Sequence, residues 1–350
     1  MRRLIVLLIG VCYGSLSAYC ATSAGNVSHI KGSGTVPGAV SGDSPALAAL
    51  RDHLVLAWAS EPGVEAHKVR YAATVDGKWM PPREVPGALT TSAPALGVAD
   101  QRLYLATTPP RADDKIYLYS SSGTAFLDHG SPLCDGDNCA RTRAAPALVG
   151  DGAALYAAWS TPDGAVSYAT YTNHVWNIAR LPIADALTNA TTGPTVAVYQ
   201  NRLYVAWVRR AGGAVSVAST ALPLSSSSWS VERVEVQAKT QVSPRLGVLL
   251  VPDSALGREC ERKPTLVLAW TTIDSSINFA RWNGSAAQWM ASDSPIPLPS
   301  GRLSRFPIAL NSFQLESANH QLIDVNALVY ADESTPPQLQ SHILRLKVCP

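Results

Sequence analysis

The feature that most constrains the fold of this chain is a proline-centred motif that returns about every fifty residues. Ser44-Pro45-Ala46-Leu47 and Ala145-Pro146-Ala147-Leu148 are two of its copies. The six copies are marked by Pro45, Pro94, Pro146, Pro194, Pro244 and Pro307. Self-similarity at a fixed period is typical of repeat architectures, in which each copy is one structural unit. We therefore expect six equivalent units within a single domain.

Each copy also contains an apolar segment that ends, in most copies, at a large aromatic residue. The segments end at Trp58, Thr107, Trp159, Trp207, Trp270 and Tyr330. A second aromatic position follows 17 to 22 residues later, at Trp79, Phe126, Trp176, Trp229 and Trp289. Trp282 is the one tryptophan of nine that lies outside these two positions. This phasing indicates that the tryptophans have a role set by the repeat.

The pattern within a copy predicts four short strands. The strand after the proline is rich in small residues, and the next is apolar on both alternating faces, as in Leu155-Tyr156-Ala157-Ala158-Trp159. Asp-Gly or Asn-Gly turns, such as Asp76-Gly77, precede the fourth strand. Four-stranded sheets that repeat radially and are covered on both faces form a β-propeller. The sequence therefore predicts an all-β fold, a six-bladed β-propeller of four-stranded blades.

The two ends of the chain predict how the ring closes. The sixth copy ends where only its third strand is due, at residues 341–347. Near the start, residues 28–31 and the segment Val36-Pro37-Gly38-Ala39 match the fourth strand that precedes the second copy, Val85-Pro86-Gly87-Ala88. We expect this N-terminal segment to supply the outer strand of the last blade, which removes a free sheet edge.

The first residues have the pattern of a secretory signal peptide. Met1-Arg2-Arg3 is basic and residues 4–11 are apolar. Thr22-Ser23-Ala24 and Leu16-Ser17-Ala18 are two candidate cleavage sites, and an even number of remaining cysteines favours the cut after Ala24. We interpret residues 1–24 as the signal peptide and residues 25–350 as one propeller domain, secreted to an extracellular or periplasmic location. Beyond the first twenty residues the sequence has no apolar run long enough to span a bilayer, so no membrane span is predicted.

Cleavage after Ala24 leaves four cysteines, an even number that suits two disulfides in an exported chain. Cys134 and Cys139 are close in sequence and are expected to close a short loop. Cys260 and Cys349 are expected to form a second bridge that holds the C-terminus. Two acids and an amide between Cys134 and Cys139 suggest Ca²⁺ ligands, but a disulfide-closed turn is the favoured interpretation.

The charge balance argues against several functions. The whole chain has a net charge of +2, and 15% of its residues are charged. Nucleic acid and anionic membrane surfaces require clustered basic charge, so neither is expected as a partner. The sequence contains no recognised zinc, phosphate-loop or nucleophile motif, and its histidines are scattered, so we predict no metal, no cofactor and no catalytic residue.

The recurring segments resemble the repeats of secreted sialidase-like and lectin-like β-propellers. Pro-Ala-Leu, Arg-Leu-Tyr-Val-Ala-Trp and Ser-Tyr-Ala-Thr carry the resemblance, which covers roughly residues 28–348. Residues 74–79, Thr-Val-Asp-Gly-Lys-Trp, are similar to the Asp-box hairpin of sialidases but one residue short. The resemblance implies a propeller fold and a carbohydrate or cell-surface ligand. An Arg-Glu-Trp sugar signature of fucose lectins is not evident in each blade.

The aromatic residues that end the second strands have two interpretations. Large aromatics pack well between neighbouring sheets, and this is the favoured one. They also lie near loops where propellers carry ligands, so they are candidate sugar-stacking residues. The candidate ligand-binding set is Trp58, Trp159, Trp207, Trp270 and Tyr330.

The leading hypothesis is a secreted, non-catalytic propeller that binds glycans or another surface ligand. One alternative is a sialidase-type glycoside hydrolase, which requires three arginines in one pocket beside a tyrosine and a glutamate. Arg180 follows an aromatic position, and Arg51, Arg102 and Arg202 lie in turns, so the sequence does not assemble such a pocket. The other alternative is a protein-interaction scaffold that uses the long excursions of the fifth and sixth copies.

Overall fold

The fold is seen in a computed structural model that describes most of the repeat region. The described residues are 34–41, 43–50, 53–60, 67–75, 78–111, 113–123, 125–126, 130–152, 154–183, 186–189, 192–224, 228–232, 240–252, 262–272, 276–284, 288–291, 308–316, 322–331 and 337–344. The predicted signal peptide, Cys260 and Cys349 lie outside these residues, so the predicted Cys260–Cys349 bridge stays a prediction. No helix among the described residues is long and apolar enough to cross a membrane.

The described chain folds into six antiparallel sheets that form the blades of a β-propeller, as predicted. Blade 1 contains β2 (Ala46–Leu50), β3 (His53–Ala59), β4 (Lys68–Val75), β5 (Lys78–Trp79) and β6 (Arg83–Leu89). Blade 2 contains β7 (Ala95–Ala99), β8 (Arg102–Thr107), β9 (Tyr117–Ser122), β10 (Ala125–Phe126) and β11 (Ser131–Pro132), followed by the small hairpin of β12 (Cys134–Asp135) and β13 (Asn138–Cys139). In these two blades the outer strand is divided into two pieces that both pair with the third strand.

The other four blades have four strands each. Blade 3 contains β14 (Ala147–Asp151), β15 (Ala154–Ser160), β16 (Val166–Thr172) and β17 (Val175–Arg180). Blade 4 contains β18 (Thr195–Tyr199), β19 (Arg202–Val208), β20 (Val215–Ala221) and β21 (Ser230–Glu232). Blade 5 contains β22 (Arg245–Pro252), β23 (Arg262–Thr271), β24 (Ile277–Asn283) and β25 (Gln288–Ala291). Blade 6 contains β26 (Ala309–Glu316), β27 (Leu322–Ala331), β28 (Gln338–Leu344) and β1 (Gly34–Val40).

The inner strands form the wall around the central axis. Each contacts the inner strand of the next blade, in the order β2, β7, β14, β18, β22, β26 and back to β2. Small residues permit this close approach: a Cβ atom on Gly150 of β14 would overlap the carbonyl oxygen of Val98 in β7. The proline motif therefore marks the start of the strand where space is most limited.

Tight turns set the register within several blades. Asp100 and Gln101 join β7 to β8, and Gln200 and Asn201 join β18 to β19. All four residues have positive φ angles, between 47° and 56°. Positive φ at both central positions defines the type I′ turn, whose twist matches that of the paired strands. These turns fix which residue of the second strand faces the neighbouring blade.

The N-terminal strand β1 is the outer strand of blade 6. It pairs antiparallel with β28, with Gly34 opposite Ser341 and Thr35 opposite Gln340, and a bulge follows. Val36 and Ala39 are fully buried in the cluster between blades 6 and 1. The first and last strands of the propeller thus share one sheet.

A buried hydroxyl residue precedes the inner strand in five described copies, a feature that the sequence analysis did not single out. These residues are Ser41, Thr90, Thr142, Thr188 and Thr240. The backbone N–H of each donates to a carbonyl in the loop between the second and third strands, as from Thr142 to Asp114 at 2.8 Å. The hydroxyl donates to a carbonyl two to four residues ahead, as from Thr142 to Ala144 at 3.2 Å. This pair of bonds ties the two loops together at one end of the blade.

Candidate functional site

The five aromatic residues predicted to contact ligand lie in the packing between blades. The exposed fractions are 0% for Trp58, 1% for Trp159, 1% for Trp207, 5% for Trp270 and 0% for Tyr330. Each side chain packs against the preceding blade, as Trp159 of blade 3 does in the cluster that contains Leu118 of blade 2. The packing interpretation therefore fits these residues, and their burial gives no support to a sugar-stacking platform.

The partly exposed rings of Tyr104 and Tyr171 lie instead nearer the opposite end of the second strands, where blade 2 meets blade 3, beside the buried Trp176. We call this the 2/3 cleft and define it by Tyr104, Tyr171, His174 and Trp176. The rings of Tyr104 and Tyr171 meet edge-on, with centroids 6.1 Å apart. Tyr171 also packs against Trp176 at 4.9 Å, and its hydroxyl lies 3.4 Å from His174 Nδ1. The cleft thus has an aromatic wall with polar groups on its edge.

Two charged residues, Asp100 and Arg102, influence the ionisation of Tyr104. Burial raises the pKa of Tyr104, the neighbouring Tyr171 raises it further, and the positive charge of Arg102 acts in the opposite direction. Asp100 adds a negative charge from the turn, and its backbone N–H donates to the carbonyl of Gly152 in blade 3 at 2.8 Å. Both Asp100 and Arg102 are exposed. An acid and a base therefore stand beside the aromatic wall of the 2/3 cleft.

A second cleft with the same design lies between blades 4 and 5. This 4/5 cleft is defined by Tyr199, Tyr204, Trp282 and Trp289. The ring of Tyr204 lies 6.4 Å from Trp282, which lies 5.5 Å from Trp289, and Tyr199 lies 6.5 Å from Tyr204. Tyr199 and Trp282 are partly exposed, and Tyr204 and Trp289 are buried. Gln200, an exposed turn residue, lies beside Gly284 of the same cleft.

The two clefts use the same positions of the repeat. Tyr104 and Tyr204 are each the third residue of a second strand. Tyr171 and Trp282 are each the sixth residue of a third strand, and Trp176 and Trp289 are each the second residue of a fourth strand. In blade 4, the sixth residue of the third strand is Thr220 and not an aromatic residue. The boundary between blades 3 and 4 therefore lacks this part of the pattern. Trp282 is the one tryptophan that lies outside the two aromatic positions of the repeat. Its presence in the sequence could therefore have indicated where the clefts lie.

A separate cavity runs along the central axis. Its volume is about 360 Å³, and it is lined by the inner strands of all six blades. Arg245, at the start of β22, is the one charged side chain among the described lining residues. Its Nε donates to the carbonyl of Ile308 at 2.9 Å. Burial lowers the pKa of Arg245 to about 10, and the negative charge of Asp43 partly opposes this shift.

The arginines considered for a sialidase-type centre do not meet in this cavity. Arg102 and Arg180 are exposed on blades 2 and 3, and Arg202 donates to Ser219 Oγ at 2.7 Å in blade 4. Arg51 lies outside the described residues. The lining residues that the structure describes thus supply a single arginine, whereas the sialidase-type centre calls for three.

The short disulfide is confirmed. Cys134 and Cys139 are bonded with an S–S distance of 2.03 Å across the hairpin of β12 and β13. The acidic residues between them, Asp135 and Asp137, are exposed. The part of the chain that the structure describes contains no group of three or more histidine, cysteine, aspartate or glutamate residues that could hold a metal ion.

The ring of six sheets defines the class of protein as a six-bladed β-propeller, a fold that the chain shares with lectins and a sialidase. The chain is similar to AofleA from Arthrobotrys oligospora, with 12% identity, a TM-score of 0.62, and coverage of 88% of this chain and 84% of that one. It is also similar to the fucose-specific lectin from Aleuria aurantia, with 13% identity, a TM-score of 0.52, and coverage of 87% and 95%.

A third similar structure is an enzyme, the Hadza microbial sialidase Hz136. The identity is 14%, the TM-score is 0.54, and the alignment covers 90% of this chain and 66% of that one. No family model and no curated protein sequence matches the chain. At such low identity the comparisons show the shared fold, and the ligand must be argued from the residues of this chain.

Proposed function

We propose that the protein is a secreted, non-catalytic propeller that binds carbohydrate in the clefts between its blades. The observation that carries this proposal is the partly exposed Tyr104–Tyr171 pair with Asp100, Arg102 and His174 beside it. The apolar face of a sugar ring stacks on aromatic side chains, and its hydroxyl groups bond to charged and polar groups that fix its orientation. The 2/3 cleft offers both kinds of group.

Two further observations support the proposal. The Aleuria aurantia lectin, which shares the fold, is described as fucose-specific, so a propeller of this architecture can hold a sugar. The Cys134–Cys139 disulfide is of the kind that persists in oxidising compartments, which fits secretion. Fucose is therefore the first sugar to test, together with larger glycans that contain it.

The test is a glycan-array screen of the purified chain, followed by titration of the best ligand against variants. We expect Tyr171→Ala to weaken binding about fivefold, since an aromatic contact contributes on the order of 1 kcal/mol beyond its buried area. Thr220→Ala is the matched control, because Thr220 has the same repeat position in blade 4 as Tyr171 has in blade 3. Thr220 is not aromatic, so we expect this variant to bind with unchanged affinity. Equal losses from both variants would argue against the 2/3 cleft as the site.

A fluorogenic sialoside assay run beside the array tests the enzyme alternative. We expect no turnover by the wild-type chain. Turnover that disappears when one acidic residue is mutated would establish a hydrolase and overturn the non-catalytic proposal. The scaffold alternative depends on the excursions of the fifth and sixth copies, residues 253–261 and 317–321, which lie outside the described residues. If the chain binds no glycan on the array and does not hydrolyse the sialoside, the scaffold alternative is favoured.

A further inference from the structure

We propose that the axial cavity is a second binding site, separate from the clefts, which holds a small oxyanion on the guanidinium group of Arg245. Three features of the structure carry this inference: the position of Arg245 in the repeat, the geometry of its side chain, and the lack of a close counter-ion. The site does not depend on carbohydrate binding between the blades.

The repeat does not require an arginine at this position. Arg245 directly follows the proline of its copy. The corresponding residues of the other copies are Ala46, Ala95, Ala147, Thr195 and Ile308. Since five inner strands begin with a small or apolar residue and still complete the ring, ring assembly does not require an arginine at this position.

The side chain is held in a fixed direction. Arg245 is partly buried and lines the cavity, and its Nε–H bond to the Ile308 carbonyl at 2.9 Å fixes the guanidinium plane against blade 6. This contact uses one of the five N–H donors. The terminal Nη groups remain as a fork, and such a fork matches the paired oxygens of a carboxylate, phosphate or sulfate.

The positive charge of Arg245 is incompletely compensated. No carboxylate of the described residues forms a salt bridge with it within 4.0 Å. The facing acid is Asp43, whose Oδ1 already accepts the Ser44 N–H at 2.6 Å. Burial raises the pKa of Asp43 and lowers that of Arg245 to about 10, and the charge of each group opposes the shift of the other. Because no described carboxylate forms a salt bridge with Arg245, a bound anion would give its guanidinium group a charge-assisted partner.

The cavity limits the size of the anion. A volume of about 360 Å³ admits a small molecule. The polar side chains in the lining other than Arg245 are Thr195 and Asn311, and both already bond to backbone groups, with Leu246 and Leu47 respectively. The common chemistry is therefore a single, compact oxyanion group. Inorganic phosphate or sulfate and a small organic carboxylate both fit this description.

The test is isothermal titration of the full chain with sulfate, phosphate and butyrate at constant ionic strength in chloride. We expect saturable binding of one anion per chain, and Arg245→Gln should weaken it at least tenfold because charge-assisted bonds are lost. Arg143→Gln removes an exposed arginine that pairs with Asp114, and we expect it to bind as wild type does. Preference for sulfate and phosphate identifies an inorganic anion, and preference for butyrate identifies a carboxylate ligand.

Arg245→Lys provides the second variant, since it keeps the charge and loses the fork. We expect it to fold and to bind the anion several-fold more weakly than the wild-type chain. Tyr171→Ala should leave anion binding intact, which separates this site from the 2/3 cleft. No saturable binding to the wild-type chain, or equal binding by wild type and both Arg245 variants, would overturn the proposal. Loss of anion binding in Tyr171→Ala would contradict the separation of the two sites.

Discussion

At the scale of single residues, aromatic side chains in this propeller have two different roles that their residue type does not reveal. Trp159 is the sixth residue of a second strand and is 1% exposed, whereas Trp282 is the sixth residue of a third strand and is partly exposed. The two tryptophans differ in the strand that carries them and in their level along the blade. Burial between sheets gives the first a structural role, and partial exposure makes the second available to a ligand.

This difference predicts opposite effects of truncation. We expect Trp159→Ala to lower the free energy of unfolding by about 3–5 kcal/mol, because removal of a fully buried ring leaves a cavity. Trp282→Ala should cost clearly less, since part of its ring already contacts water, but it should reduce ligand binding at the 4/5 cleft. Urea denaturation followed by circular dichroism measures both variants. Similar destabilisation by the two changes would contradict the assigned roles.

The raised pKa of Asp43 predicts a pH dependence of stability. Burial is the main cause, and the Ser44 N–H and Arg245 act in the opposite direction. The pKa of Asp43 in the folded state lies above 3.8, the ordinary value of an aspartate in an unfolded chain. The folded state therefore binds this proton more tightly than the unfolded state does. The stabilising effect of the proton is complete below pH 3.8 and is lost as the pH rises through the folded-state pKa.

Comparison with Asp43→Asn isolates this effect, because the variant cannot titrate. We expect the stability of the wild-type chain, relative to the variant, to decrease as the pH rises from below 3.8 towards neutral. Thermal denaturation in buffers across this range gives the difference at each pH. A relative stability that rises with pH would mean that Asp43 is a well-compensated carboxylate in the fold.

At the scale of strands and turns, the sequence predicts the blades well and the clefts poorly. The proline motif and the apolar second strands specify the order of strands, because burial on both faces leaves a clear pattern. The 2/3 cleft depends on Tyr104 and Tyr171, which belong to different copies and meet only when two blades pack. Type I′ turns such as Asp100-Gln101 set that alignment, and the sequence pattern does not show it.

The close approach of the inner strands gives a prediction at this scale. Gly150→Ala places a Cβ where the carbonyl oxygen of Val98 lies, so strands β7 and β14 must separate. We expect a loss of stability of several kcal/mol, since the backbone cannot yield as a side chain can. Gly247→Ala is the matched control on β22, where the nearest atom is Leu310 Cβ at 3.5 Å. The measurement is the melting temperature of each variant, and we expect Gly150→Ala to melt at a lower temperature than Gly247→Ala. Equal melting temperatures would contradict close packing at Gly150.

At the scale of the whole molecule, the ring depends on one strand from the far end of the chain. Val36 of β1 is fully buried between blades 6 and 1, while its neighbour Pro37 points to solvent. Val36→Asp therefore buries an unpaired carboxylate and should detach β1, with a loss of a few kcal/mol or more. Pro37→Asp should have little effect. Limited proteolysis near residue 40 reports detachment, and equal resistance of both variants would show that the ring does not need β1.

The pairing of β1 with β28 also has a consequence for the order in which the protein can be completed. Thr35 and Gln340 bond across a sequence separation of 305 residues. On the ribosome, β1 emerges before any blade exists, and its partner emerges after five blades have been made. Strand β1 must therefore wait for its β28 partner until five blades have been made. Long-range pairing of this kind is slow to form, so we expect the β1–β28 pairing to form late in folding.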